Sequence, residues 1–311
     1  RFTHFSRLMR LPNLLIIALT LLLLRLFIFM PALAARTTGL LSSWPEFLIL
    51  VAATILTAAG GYLVNDLFDQ EADRINRPGR RVVGISVSVQ AARGLYILLN
   101  VMALAGGAWL AFRAGSAHPA MIFPLVAALL WLYSARLKGT PLAGNALISF
   151  LSALVILVAW YFEYVMLRNE PERLSLALTG LRTAALPVMV YAFFAFLTSM
   201  IREIVKDMED IEGDRAAGYR TLPVSAGLRA STRVAGAILV LTIFLTGLLQ
   251  ISFLARGNTV AFWYFMVLVQ PVFLVMLLRF RRTSTQEGFR QLSRLAKAAM
   301  VAGLASMILY F

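Results

Sequence analysis

"NDLFDQEADRINRPGR", residues Asn65 to Arg80, closes a long apolar run with three spaced aspartates, Asp66, Asp69 and Asp73, and with arginines at 74, 77 and 80. A second block, "REIVKDMEDIEGDRAAGYRTLPV" from Arg202 to Val224, repeats the pattern D-x-x-D-x-x-x-D-R. Asp207, Asp210, Asp214 and Arg215 stand where Asp66, Asp69, Asp73 and Arg74 stand in the first block, all at one offset. A repeat of this kind, with each copy at the end of an apolar run, predicts two related halves that face one site.

The residues around the two blocks define the solvent. Of 311 residues 60% are apolar and 14% charged, and the mean hydropathy is +0.80, far from the composition of soluble domains. A bilayer core about 30 Å thick takes roughly 20 apolar residues per helix. Nine runs qualify: 11–34, 47–67, 91–112, 119–133, 141–166, 186–205, 230–254, 262–278 and 292–311. The fourth is short, which leaves eight as the fallback. The expected fold is all-α, with nine membrane-spanning helices. It forms a single domain over 1–311, with halves of about 11–138 and 141–282 and a last helix at 292–311. The first run follows Arg7 and Arg10 and ends near "MPALAA", but it has near-spanning length and contains Arg25, so it is read as a helix and not as a cleaved signal.

The net charge of +14 raises the question of nucleic acid, and placement answers it. With the N-terminus inside, the great majority of the 29 Lys and Arg fall in the N-terminal segment and after spans two, four, six and eight. That is the positive-inside asymmetry, and it accounts for the basicity without nucleic acid. "RFTHFSRLMR" and "RFRR" at 279–282 read as anchors to anionic headgroups. Both aspartate blocks then lie on the cytoplasmic side. The chain has no cysteine, and His4 and His118 stand far apart, so thiol chemistry and a soft-metal site are excluded.

On a continuous helix, positions 0, 3 and 7 fall within about 60° of one another, so each block would present three carboxylates on one face. Like charges so placed repel, and near the membrane each is expensive to hold; a cation should compensate. Oxygen ligands without His or Cys favour Mg²⁺ or Ca²⁺, and Mg²⁺ completes its shell with water and substrate phosphate. Two facing clusters would suit two or three Mg²⁺ ions bridging a diphosphate. Arg74, Arg77, Arg80 and Arg81 after the first block, and Lys206, Arg215 and Arg220 around the second, are the phosphate contacts such a ligand needs. Pro78-Gly79 would turn the chain so that Arg80 folds back.

"NDLFDQEADRINRPGR" resembles the first aspartate-rich motif, N-D-x-x-D-x-x-x-D, of the UbiA superfamily of intramembrane prenyltransferases, and "KDMEDIEGD" resembles its second. The resemblance extends to "TLPV" after the second motif, to the nine spans and to "RLPNLLIIAL" at the start. It implies that the nine helices form one bundle around a central cavity, whose mouth holds a Mg²⁺-bound polyprenyl diphosphate. Asn65, Asp66, Asp69 and Asp73 would form the first cluster; Asp207, Asp210 and Asp214 would form the second. Asn13 matches a position lining the cavity. A family element Tyr-x-x-x-Lys is met here by "YSARLKG", where Tyr133 and Lys138 are five apart instead of four.

The resemblance also implies a chemistry. The allylic C–O bond of the diphosphate breaks, an apolar wall keeps water from the cation, and an acceptor attacks C1. Phe193, Phe194, Phe196 and Trp131 are wall candidates, against the ordinary reading of aromatic packing and lipid-facing bulk. The chain is most like the branch that transfers geranylgeranyl to the hydroxyl of a prenylated glyceryl phosphate; the alternative is C-prenylation of an aromatic quinone precursor. An ion-coupled transporter is the distant alternative, disfavoured because transporter sites lie at the midplane and these acids lie at helix ends. Among the remaining polar groups, Asn145 is expected to hydrogen-bond a neighbouring helix, Arg25 to snorkel or meet a carboxylate, and Glu163 to lie at the membrane interface.

Overall fold

The computed structural model describes residues 6, 8–34, 41–76, 82–280 and 282–311. Arg77, Pro78, Gly79, Arg80 and Arg81 therefore lie outside the described residues, as does part of the basic N-terminal segment. Among the described residues nine helices are long and apolar enough to cross a membrane. They are α1 (Leu11–Leu33), α2 (Trp44–Phe68), α4 (Val89–Arg113), α5 (His118–Leu137), α6 (Ala143–Leu167), α7 (Pro171–Glu209), α9 (Leu222–Ala255), α10 (Thr259–Phe280) and α11 (Gln286–Leu309). Two short helices, α3 (Gln70–Asn76) and α8 (Ile211–Ala216), follow α2 and α7. The protein is an integral membrane protein built of helices.

Several bounds differ from those read off the apolar runs. The fourth span reaches 20 residues because its end, Tyr133–Leu137, continues as a π-helical turn. The sixth starts at Pro171: Glu172, Arg173 and Arg182 lower the hydropathy of its first turns without opposing helix formation. The seventh starts at Leu222, before a local break at Gly227, whose φ of +85° only glycine adopts without strain.

The chain divides into two compact units, Arg1–Leu137 with Leu154–Met189, and Lys138–Ala153 with Val190–Phe311. In the first unit, α2 begins with a capping box in which Ser43 N donates to Glu46 Oε2 at 2.7 Å and Ser43 Oγ accepts from Glu46 N. Two glycine pairs then let α2, α4 and α5 approach closely, in the manner of helices packed within lipid. A Cβ on Gly60 would meet Asn100 of α4, and one on Gly61 would meet Leu130 of α5. Gly106 is seated likewise against Ala53 of α2, and Gly107 against Phe123 of α5. Leu50, Ala53, Leu110, Phe123 and Phe162 form one buried cluster here.

Glu163 is packed inside the first unit. It is 1% exposed, and its Oε1 accepts from Arg25 Nη1 at 3.0 Å. Ser42 closes the group, donating from its backbone N to Glu163 Oε2 at 2.8 Å while its carbonyl accepts from Arg25 Nη2 at 2.5 Å. The Arg25 guanidinium also stacks over the rings of Trp44 and Phe47, at 4.6 and 4.5 Å. A lone carboxylate cannot be held in so dry a place, but a hydrogen-bonded pair can. A π-helical turn over Leu24–Phe29 carries Arg25.

In the second unit, Ile204 and Val205 of α7, Leu239 of α9, Met276 of α10 and Leu292 of α11 share one core. A buried polar pair holds α9 to α10, with Gln270 Nε2 donating to Gln250 Oε1 at 3.0 Å and to the carbonyl of Ile243. Large apolar side chains such as Phe112, Phe244 and Leu278 point outward, as a lipid-facing surface requires.

Candidate active site

Both aspartate motifs are helix breaks of the same construction. Helix α2 ends at Phe68, Asp69 takes φ −85° and ψ 6°, and α3 starts at Gln70. Helix α7 ends at Glu209, Asp210 takes φ −97° and ψ 10°, and α8 starts at Ile211. The continuous three-carboxylate face read from the spacing is therefore interrupted at its middle residue. Helical hydrogen bonding nevertheless spans each break at matching positions. Asp69 N donates to Asn65 O and Asp73 N to Asp69 O, at 2.9 and 2.8 Å; Asp210 N donates to Lys206 O and Asp214 N to Asp210 O, at 2.8 and 3.0 Å. The bend at the central aspartate leaves the first and third aspartates on separate helices.

In the first unit, Asn65 Nδ2 donates to Asp69 Oδ2 at 2.6 Å, both residues buried. Asp66 accepts from Arg10 Nη2 at 2.7 Å, and the Arg10 guanidinium lies 5.0 Å from the centre of the Tyr62 ring. Burial works against the Arg10 charge, but Asp66, with Tyr62 and Asp69, outweighs it and holds the guanidinium above the ordinary arginine range. Arg10 was not singled out from the sequence, where it reads as one more basic residue of the N-terminal segment. The signal was its place immediately before "LPN", since Asn13 N bonds back to its carbonyl. Asp73 is half-buried and Arg74 exposed. Phe68 packs edge-on against Trp131 at 6.3 Å, bringing the end of α5 beside the end of α2. Trp131 is largely exposed, as is Phe193, whereas Phe194 and Phe196 are half-buried.

Tyr133 opens the π-helical turn. A π-turn bonds i to i+5, one residue more than an α-turn, and such turns recur at functional sites.

In the second unit, Asp207 Oδ2 accepts from Asn145 Nδ2 at 2.8 Å, so Asn145 meets a neighbouring helix at the motif itself. Asp214 is buried, and its Oδ2 accepts from Thr221 Oγ1 at 3.2 Å. This ties the motif to "TLPV", whose threonine also stands at the start of α9. Lys206, at the position of Asn65, donates to Glu203 Oε2 at 2.9 Å, and Glu203 also holds Arg202 at 2.6 Å. Glu209 accepts from Arg290 of α11 at 3.0 Å. Lys138 Nζ lies 6.0 Å from the Tyr219 ring centre, and Arg220 N donates to Gly139 O at 2.8 Å. Arg215 is exposed.

Among the described residues no three His, Asp or Glu side chains converge tightly enough to hold an ion by themselves. The donors that are present are carboxylate and amide oxygens, the set a hard cation takes when phosphate and water complete its shell. By donor chemistry the motifs fit Mg²⁺ bound together with a diphosphate.

Three comparisons bear on the chain. The model of the UbiA prenyltransferase family matches residues 13–301. A digeranylgeranylglyceryl phosphate synthase of Methanopyrus kandleri is 35% identical over 239 residues, covering 73% of this chain and 72% of that protein. Among solved structures, one of a digeranylgeranylglyceryl phosphate synthase aligns with a TM-score of 0.61 at 20% identity, over 99% of this chain and 98% of that one. Another, of a UbiA homologue from Archaeoglobus fulgidus bound to GPP and Mg²⁺, aligns with a TM-score of 0.56 at 16% identity, over 98% and 99%.

Proposed function

Since this chain belongs to the UbiA prenyltransferase family and is a prenyltransferase, we propose that it transfers a geranylgeranyl group from its diphosphate to the hydroxyl of a prenylated glyceryl phosphate, with Mg²⁺, at the cytoplasmic side of the membrane. The observation that carries the reading is the repeated helix break with an aspartate at its centre, Asp69 in one motif and Asp210 in the other. The named relative supports the choice of acceptor, and the ligands of the A. fulgidus homologue support Mg²⁺ and a prenyl diphosphate.

Asp66, Asp69, Asp73, Asp207, Asp210 and Asp214 would hold two or three Mg²⁺ ions, which when bound neutralise the charge that grows on the diphosphate as the allylic C–O bond breaks. Asn65 fixes Asp69, Asn145 fixes Asp207 and Thr221 fixes Asp214, each by a hydrogen bond to one carboxylate oxygen. The remaining oxygens face the ligand in this reading. Arg74, Arg77, Arg80, Lys206 and Arg215, with Tyr133 and Lys138, contact phosphate oxygens, and Arg10 restrains Asp66. Asn13 lines the cavity. The apolar chain interior keeps water from the allylic cation. The acceptor oxygen bonds to C1, and its proton passes to the departing diphosphate or a motif carboxylate.

The test uses purified protein in neutral detergent with Mg²⁺, geranylgeranyl diphosphate and a panel of acceptors, read by product mass and diphosphate release. The expected product is geranylgeranylglyceryl phosphate heavier by one geranylgeranyl group. Turnover of an aromatic acid, with none of the glyceryl phosphate, overturns the acceptor assignment.

A further inference from the structure

Helix α8 ends in a glycine turn that brings Tyr219 back to the second motif. Gly218 takes φ +75°, a left-handed value that glycine adopts at no steric cost. Gly218 N donates to Arg215 O at 3.2 Å and Tyr219 N to Asp214 O at 2.9 Å, the nested pair of a Schellman C-cap. Beyond them Thr221 Oγ1 donates to the Asp214 carboxylate at 3.2 Å. Tyr219 and Arg220 are thus strung between two bonds to one aspartate.

The same two residues hold the turn between α5 and α6. Arg220 N donates to Gly139 O at 2.8 Å. Gly139 lies so close to the Tyr219 ring that an added Cβ would meet Cδ1 at 3.0 Å. The ammonium of Lys138 stands 6.0 Å from the centre of that ring, at the outer reach of a cation–π contact. Further along the turn Leu142 takes φ +62°, which a leucine keeps only where its surroundings fix it, and its side chain packs on the core of the second unit. At the start of α6, Asn145 donates to Asp207 at 2.8 Å. The connection 138–145, which lies in the second unit with the motif, is therefore tied to it on both sides of the break at Asp210. One tie runs to Asp207 of α7 through Asn145, the other to Asp214 of α8 through Tyr219, Arg220 and Thr221.

We propose that Tyr219 is a positioning residue for the prenyl diphosphate: its ring, seated on Gly139, locks the turn to Asp214 and so aims Lys138 at the phosphate that the motif holds. The inference rests on the reading above, in which Lys138 contacts a phosphate oxygen. A lysine is a point charge on a flexible stem, and its value to a ligand rises with the freedom it has lost before the ligand arrives. A ring face beside the ammonium, and a backbone bond at the base of the stem, restrict it in advance. The contacts with Gly139 and Lys138 are made by the ring, so phenylalanine should serve as well as tyrosine.

Binding of geranylgeranyl diphosphate is measured by calorimetry in neutral detergent with Mg²⁺ and no acceptor, with the donor KM alongside and thermal unfolding as the control for folding. Lys138→Gln is expected to weaken binding about tenfold, the scale of one charge-assisted contact. Tyr219→Leu should weaken it about threefold to tenfold, and Tyr219→Phe should stay within about twofold of wild type. Adding Tyr219→Leu to Lys138→Gln should cost less than about twofold more, because the ring acts through the lysine. Gly139→Ala presses on the ring from the other side, so it should weaken binding in the wild-type background and not in Tyr219→Leu. Losses from Tyr219→Leu and Lys138→Gln that multiply overturn the proposal. So do a Tyr219→Phe defect as large as that of Tyr219→Leu, and unchanged binding in either Tyr219→Leu or Lys138→Gln. Where Tyr219→Leu does not fold, Gly139→Ala with Lys138→Gln gives the same cycle, and multiplying losses there overturn it too. Each of these results leaves the prenyl transfer reading intact, whereas a wild type that binds no geranylgeranyl diphosphate with Mg²⁺ overturns both.

Discussion

Nη2 of Arg10 lies 2.7 Å from Oδ1 of Asp66, so the first acid of the first motif is held by a cation from the segment preceding α1. Removing the guanidinium loosens Asp66 and takes one positive charge from the donor's surroundings. Arg10→Gln is expected to raise the KM for the prenyl diphosphate about tenfold, the value of one charge-assisted hydrogen bond of ~1.4 kcal/mol. Steady-state kinetics at saturating acceptor measure it, and an unchanged donor KM removes Arg10 from the site.

The same pair sets a pH expectation. Asp66 and its neighbours raise the Arg10 pKa above the ordinary value. A raised value means that the contribution of Arg10 is complete below the ordinary arginine pKa and fades only as pH climbs past the folded one. The KM difference between wild type and Arg10→Gln should therefore stay level from neutral pH to about 10. A difference that disappears by about pH 9 contradicts the pairing.

Arg25 and Glu163 are 3% and 1% exposed, so removing one strands the other. Glu163→Ala should cost about 3–5 kcal/mol, whereas the double change Arg25→Leu with Glu163→Leu should recover much of that loss. Thermal unfolding in detergent, read across the wild type and these two variants, decides; equal stability of wild type and Glu163→Ala contradicts the buried pair.

Gly180 of α7 packs so closely that an added Cβ would meet the Ala32 carbonyl oxygen at 2.6 Å and Leu33 Cα at 3.1 Å. Backbone cannot step aside as a side chain can, so Gly180→Ala should destabilise by about 1–3 kcal/mol. Gly94→Ala, with open space around it, serves as the comparison and should be neutral or slightly stabilising. Matching unfolding temperatures for the two variants would contradict the close approach of α7 to α1.

The sequence made some of this legible and hid the rest for physical reasons. Hydropathy revealed nine spans because each crossing needs its own apolar run, and the repeated aspartates stood out because their spacing is the same twice. The breaks at Asp69 and Asp210 were hidden, since the spacing fits an unbroken helix and no proline or glycine marks either one. Arg10 was masked by its setting, because an arginine beside the first span has the same composition whether it binds a headgroup or an aspartate. The Arg25–Glu163 pair joins positions 138 apart in the chain, a matter of packing that no local pattern records. The start of α7 was missed because polar residues lower hydropathy without breaking a helix, and that of α9 because its first turn lies before the break at Gly227.

The central claim is that both motifs serve one Mg²⁺-dependent transfer. Its most direct test is diphosphate release by Asp66→Ala, Asp210→Ala and the double variant, each shown to fold as the wild type does. Each single change is expected to lower kcat by about 10² or more, and the double should be little worse than either, because groups that act as a unit are not additive. Normal turnover in either single variant, or a double loss equal to the product of the two, would contradict the claim.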